Sequence, residues 1–214
     1  MTNYIEHISF VELYNKDNKI FDELFKDCKT FDILRKRLNK LASRFKEFSY
    51  SEKLNDNGKP EGHDKMLGDM FEIFAELFFK ILGSSVSIGV YNYKPEKPTK
   101  DVGVDGYGKY LDNTNLIVQV KYRSNITYKL LTGDLRNMQG VAYRQYKVPI
   151  DSNNNIIVFT SVKELHYKTK NEVFDNSVRV IGYNEICKQI DNNLCFWNMV
   201  MDYVKETIKI RYNV

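Results

Sequence analysis

The sequence predicts an α/β fold, with a mixed central β-sheet flanked by helices and a helical extension at the N-terminal end. Three observations carry that expectation. Apolar residues recur at helical spacing through 31–48 and 65–82 and again near the end of the chain. Short runs rich in β-branched and aromatic residues stand at 104–110, 116–122, 156–160 and 178–181. A turn joins the first two of these runs, whereas the last two follow long segments, so hairpin and crossover connections are mixed.

Residues 1–50 read as helical. Within 31–48, Leu34, Leu38, Leu41 and Phe45 return at steps of four, three and four and form one helix face. The basic residues Arg35, Lys36, Arg37, Lys40, Arg44 and Lys46 occupy much of the remainder, as a solvated face or a phosphate-contacting one. Gly58, Pro60 and Gly62 punctuate a loop over 51–64. It separates a helical N-terminal region, 1–62, from a core over 63–192. The core begins with a helix over 65–82, stopped by Gly83. A strand is expected at 86–93, then a turn with Pro95 and Pro98. The strands 104–110 and 116–122 flank the turn Asp112-Asn113-Thr114-Asn115. A helix is expected over 131–146. The run 156–160 is apolar throughout, as in a strand covered on both faces, and 178–181 is a second short strand. A helix follows at 183–190. A last segment, 193–214, carries Trp197, Met201, Val204 and Ile208 on one helical face, for the core or a dimer interface.

Composition narrows the field. The chain has 214 residues, 43% of them hydrophobic and 28% charged, enough apolar material for one α/β core. No run approaches the roughly 18 to 20 apolar residues that span a bilayer, and the first residues show no secretory pattern, so no membrane partner is expected. The cysteines Cys28, Cys187 and Cys195 form no Cys-x-x-Cys pair, which argues against a structural zinc site and for a reducing, intracellular setting. The histidines are not at metal-ligand spacing. A net charge of +4 permits a nucleic-acid partner without demanding one.

Three segments carry chemistry together. Asp69, Glu72 and Glu76 share one face of the 65–82 helix, as site residues or as a solvated acidic stripe opposite Phe71, Phe74 and Phe78. Asp101-Val-Gly-Val-Asp105-Gly106 offers a carboxylate before a strand, with Asp101 the better turn residue. Gln119-Val120-Lys121 ends an apolar strand, and alternation points Gln119 and Lys121 to the same side. Hairpin pairing brings Asp105 beside Gln119. A carboxylate, an amide oxygen and an ammonium at one sheet edge, with Glu72 facing them, form the set that phosphodiester hydrolysis uses. Hard oxygens hold a divalent ion, and a lysine orients or deprotonates water and offsets phosphate charge.

In these segments the chain resembles the restriction-endonuclease-like, or PD-(D/E)xK, nuclease superfamily, and looks closest to its Mrr-type branch. The matching pieces are Phe71-Glu72, Ala75-Glu76-Leu77 and Leu82-Gly83, then Asp101-Val-Gly-Val-Asp105-Gly106, then Gln119-Val120-Lys121, followed by the strands at 156–160 and 178–181; they span about 65–190. The resemblance implies a restriction-endonuclease-like core and a Mg²⁺-dependent DNA endonuclease, with Mn²⁺ able to substitute. Glu72, Asp105, Gln119 and Lys121 would be catalytic, and Asp105, Gln119 and Glu72 the metal ligands. Gln119 stands where an acid is commoner; its neutral oxygen adds no charge, which favours one metal ion. Arg123, Lys129, Arg136 and Arg144, interleaved with Tyr128, Tyr143 and Tyr146, and Lys36, Lys40 and Arg44 are candidate DNA contacts. Double-stranded DNA and a second copy of the chain are the expected partners, since one site cuts one strand. The competing expectation is a DNA-binding protein with a silent nuclease fold.

Overall fold

The computed structural model describes residues 19–48, 63–96, 103–135, 138–148, 154–166, 169 and 178–212, with the side chains of 44–48, 63–65, 134, 139 and 212 outside that description. Asp101 and Arg136 lie outside the described residues, as does the side chain of Arg44.

Helices α1 (Ile20–Phe25) and α2 (Phe31–Phe48) precede the long helix α3 (His63–Leu82). Strands β1 (Tyr91–Pro95), β2 (Gly106–Lys109) and β3 (Asn115–Lys121) follow, then the short β4 (Lys129–Leu130) and a 3-10 turn, Thr132–Asp134. Helix α4 (Met138–Tyr146), strand β5 (Ile156–Thr160), the short β6 (Glu164–Leu165) and strand β7 (Val178–Ile181) lead to α5 (Tyr183–Ile190) and α6 (Leu194–Tyr212). The main sheet has the order β1-β2-β3-β5-β7. Its first three strands are antiparallel neighbours, and β3, β5 and β7 run parallel. It is therefore mixed, with helices on its faces.

Burial explains the layers. Along β3 and β5 the side chains divide by parity: Leu116, Val118, Val120, Ile157 and Phe159 join the cluster with α1, α2, α3, α5 and α6, while Ile117, Ile156 and Val158 join a smaller cluster with α4. Phe71, Phe74 and Phe78 of α3 are fully buried and meet Phe159 at centroid distances of 5.4, 6.1 and 5.1 Å. Leu34, Leu38 and Leu41 of α2 enter the same cluster, and so do Trp197, Val204 and Ile208 of α6, with Met201 packed against it.

The first strand differs from expectation. The run 86–93 looks like a strand, yet its first half is a turn. Gly83 donates to the Phe79 carbonyl at 2.9 Å and accepts from Val90 N at 2.6 Å, a fold-back so close that a Cβ there would collide with Val90 O. Gly89 has φ +68°. Arg179 donates to the carbonyls of Ile88 and Ser87 at 2.6 and 2.7 Å, so those groups are taken by a side chain rather than a ladder. Pairing begins only at Tyr91. The helix expected over 131–146 is also shorter. Leu130 is buried in β4, which pairs with β6, and Thr132–Asp134 makes a 3-10 turn before α4 starts at Met138.

Candidate active site at the strand fork

The site is made by a fork in the sheet. β2 pairs with β3 only from Gly106↔Val118 toward Lys109↔Asn115, while β3 continues to Lys121 beside β5. Asp105 N still donates to Val118 O at 2.9 Å, but past that point β2 has turned away. The next β3 donor on that side, Val120 N–H, would be stranded; the Asp105 carboxylate accepts it instead, Oδ2 lying 2.6 Å away. One side chain thereby closes the ladder and fixes its own carboxylate at the fork.

Gln119 and Lys121 share the opposite side of β3 from Val118 and Val120, as alternation requires. Gln119 is 4% exposed. With its amide nitrogen donating to the Gly103 carbonyl at 2.9 Å, its oxygen accepts from Lys121 Nζ at 3.1 Å. The reverse orientation offers a 3.4 Å contact from nitrogen to Asp105 Oδ2 but sets oxygen against oxygen at Gly103 and nitrogen against nitrogen at Lys121. The first satisfies both ends, so Gln119 presents oxygen to the site. That oxygen and Asp105 Oδ2 lie 3.4 Å apart with Lys121 alongside.

Glu72 and Glu76 come from α3, and both contact Arg211 at the end of α6. Arg211 Nη2 donates to Glu72 Oε2 and Nη1 to Glu76 Oε2, the latter at 3.5 Å; the arginine side chain is 2% exposed. Burial pushes the Glu72 carboxyl up to about 8, with the Asp105 and Asp69 charges adding to the rise and Arg211 and Lys121 opposing it. Asp105 is raised by burial against the pull of the Val120 N–H and Lys121. Burial raises Glu76 also. Tyr93 of β1 joins this group: burial and then Glu76, Asp105 and Glu72 hold its phenol well above the usual range. Its ring stacks on Phe79 at 4.7 Å and lies against Gly106, where a Cβ would overlap it.

The structure thus brings Glu72, Asp105, Gln119 and Lys121 together. Glu76 is 8% exposed, so it is a buried partner of Arg211 rather than part of a solvated stripe. Two participants escaped the sequence reading. Tyr93 carries no motif. Arg211 did leave a signal: it follows Ile208 by three and so extends the apolar stripe of Trp197, Met201, Val204 and Ile208, where a cation needs a buried counter-charge.

The more distant basic residues vary in their surroundings. Lys36, Lys40 and Arg144 are exposed. Lys129 is exposed and lies 3.6 Å from Glu164. Arg123 follows β3, donates to the Tyr122 carbonyl at 2.9 Å and lies over the Tyr128 ring at 5.4 Å. Arg35 is buried, not part of a solvated face, and donates to Ser124 O at 2.6 Å. Arg37 ties α2 to the carbonyls of Leu24 and Lys26.

The donor set fits a divalent ion. Two carboxylates and an amide oxygen are hard donors of the type Mg²⁺ and Mn²⁺ take, and neighbouring oxygens about such an ion stand about 3 Å apart. Asp105 Oδ2 and the Gln119 oxygen, at 3.4 Å with no proton between them, are within a small adjustment of that. No group of three or more His, Cys, Asp or Glu side chains placed to hold a metal ion occurs among the described residues. Among those residues, too, no helix is long and apolar enough to cross a membrane. No family model, curated protein or solved structure matches the chain.

Proposed function

We propose that this chain is a divalent-metal-dependent endodeoxyribonuclease with a restriction-endonuclease-like core. The observation that carries the reading is the fork itself. Asp105 is locked by the Val120 N–H, the Gln119 oxygen lies 3.4 Å from its carboxylate, and Lys121 stands 3.1 Å from that oxygen. Asp105, Gln119 and Glu72 would hold the ion, which when bound supplies Lewis acidity toward a phosphoryl oxygen and a more acidic water. Lys121, with Nζ beside the Gln119 oxygen, would orient the attacking water and offset charge on the phosphorus oxygens. Asp105 spends no rotamer freedom on binding, since the backbone already holds it.

DNA is the favoured substrate. Lys36, Lys40, Lys129 and Arg144 are exposed cations able to meet phosphates, and Arg123 sits just beyond the catalytic strand. Cutting both strands of a duplex calls for two sites, hence a second copy of the chain. The test is incubation with genomic DNA and, separately, with RNA, in Mg²⁺, Mn²⁺ or EDTA. Metal-dependent loss of high-molecular-weight DNA is the expected result. RNA cleavage alone would reassign the substrate, and DNA binding without cleavage of either would favour a silent nuclease fold.

A further inference from the structure

Glu72, one of the three proposed ligands, is bridged by Arg211 to Glu76, and neither Arg211 nor Glu76 takes part in the chemistry above. The bridge joins two helices that run antiparallel. Glu72, Glu76 and Lys80 climb α3, and Arg211 and Glu206 descend α6 against them, with Lys80 Nζ 2.9 Å from Glu206. The Lys80–Glu206 pair is partly exposed and self-neutralising. The Arg211 pair is not: its guanidinium is buried and shared between two carboxylates.

Glu72 has two carboxylate oxygens, and Arg211 holds Oε2, which leaves the other to the proposed ion. The charges of Asp105 and Asp69 act on Glu72, with Arg211 and Lys121 opposing them, and Glu76 shares Arg211 with it. A second divalent ion would have to displace Arg211 from Glu72 Oε2 and stand beside its buried guanidinium. Desolvated like charge is strongly unfavourable.

Resting on the nuclease reading above, we propose that Arg211 is a built-in second cation: it occupies the Glu72 flank of the site, so that each chain takes a single divalent ion. Arg211 is then a positioning residue, holding Glu72 and setting metal stoichiometry without touching substrate.

The experiment counts Mn²⁺ bound per full-length chain, without nucleic acid, from the paramagnetic resonance of the unbound ion. Wild type is expected to bind one ion, and R211K, which keeps the charge, one. R211Q frees Glu72 and is expected to bind two, with E72Q/R211Q returning to one. The double variant E76Q/R211Q relieves the buried charge left behind and serves if R211Q does not fold; it too is expected to bind two. Two ions in wild type, or one in both R211Q and E76Q/R211Q, would overturn the proposal while leaving a metal-dependent nuclease intact. No Mn²⁺ bound by wild type would instead overturn the nuclease reading and this inference with it.

Discussion

Asp105 has two roles that substitution separates. Its carboxylate accepts the otherwise stranded Val120 N–H and also presents an oxygen to the proposed ion. Asp105→Ala leaves that donor without a partner and costs about 1–3 kcal/mol. Asp105→Asn keeps an acceptor and removes a carboxyl that burial disfavours in its charged form, so in EDTA it is expected to be at least as stable as wild type while losing metal binding. Urea denaturation and Mn²⁺ titration of both variants measure this; an Asn variant that binds Mn²⁺ like wild type would contradict it. Glu72 gives a pH dependence with a definite sign. Its carboxyl titrates at about 8 in the folded chain against 4.5 for an unperturbed glutamate. Between those values the folded state holds a proton that the unfolded state has released, so in EDTA this group makes stability fall as pH rises. Glu72→Gln removes its share of the fall, and bound Mn²⁺ opposes it at the upper end. Urea midpoints across that range test it: an unchanged slope in the variant would refute the assignment.

Much of this architecture was legible in elements whose side chains repeat with one period. The 3.6-residue stripes of α2, α3 and α6 and the apolar run of β5 match their structures because burial, the cause of the pattern, also positions them. The start of β1 was not legible, because its turn depends on Arg179, distant in sequence, and on the close approach at Gly83. The short β4–β6 pair was missed because two-residue strands leave no periodicity. In the site, Asp105, Gln119 and Lys121 were readable since one hairpin and one alternation join them; Arg211 was not, since only the docking of α6 on α3 brings it to Glu72. Two predictions belong to these elements. Phe74→Ala empties a ring that meets Phe31, Phe159 and Phe196, and is expected to cost about 3–5 kcal/mol in urea denaturation. Gly106→Ala places a methyl in the Tyr93 ring, which Phe79 backs at 4.7 Å. Displacing that ring shifts β2 against β1 beside Asp105, so metal binding is expected to weaken with stability; a variant as stable as wild type would show that the ring has room to move.

Across the molecule, one sheet joins two halves with different duties. Its antiparallel edge, β1 and β2, departs from β3 and opens the fork, while β3 and β5 of the parallel half are buried between helices and hold Gln119 and Lys121 still. The helices on the α3 side bring the acidic group and its arginine. The modest net charge of +4 leaves any DNA affinity to local clusters such as Lys36 with Lys40. The proposed hydrolysis of DNA at the fork requires both a divalent ion and the Asp105 carboxylate. Plasmid cleavage by wild type, Asp105→Asn and Lys121→Ala in Mg²⁺, Mn²⁺ and EDTA tests it most directly. Nicked or linear product is expected with wild type only when metal is present, none with Asp105→Asn, and a rate lower by about 10²–10³ with Lys121→Ala. Cleavage that persists in EDTA, or that Asp105→Asn performs as well as wild type, would contradict that requirement.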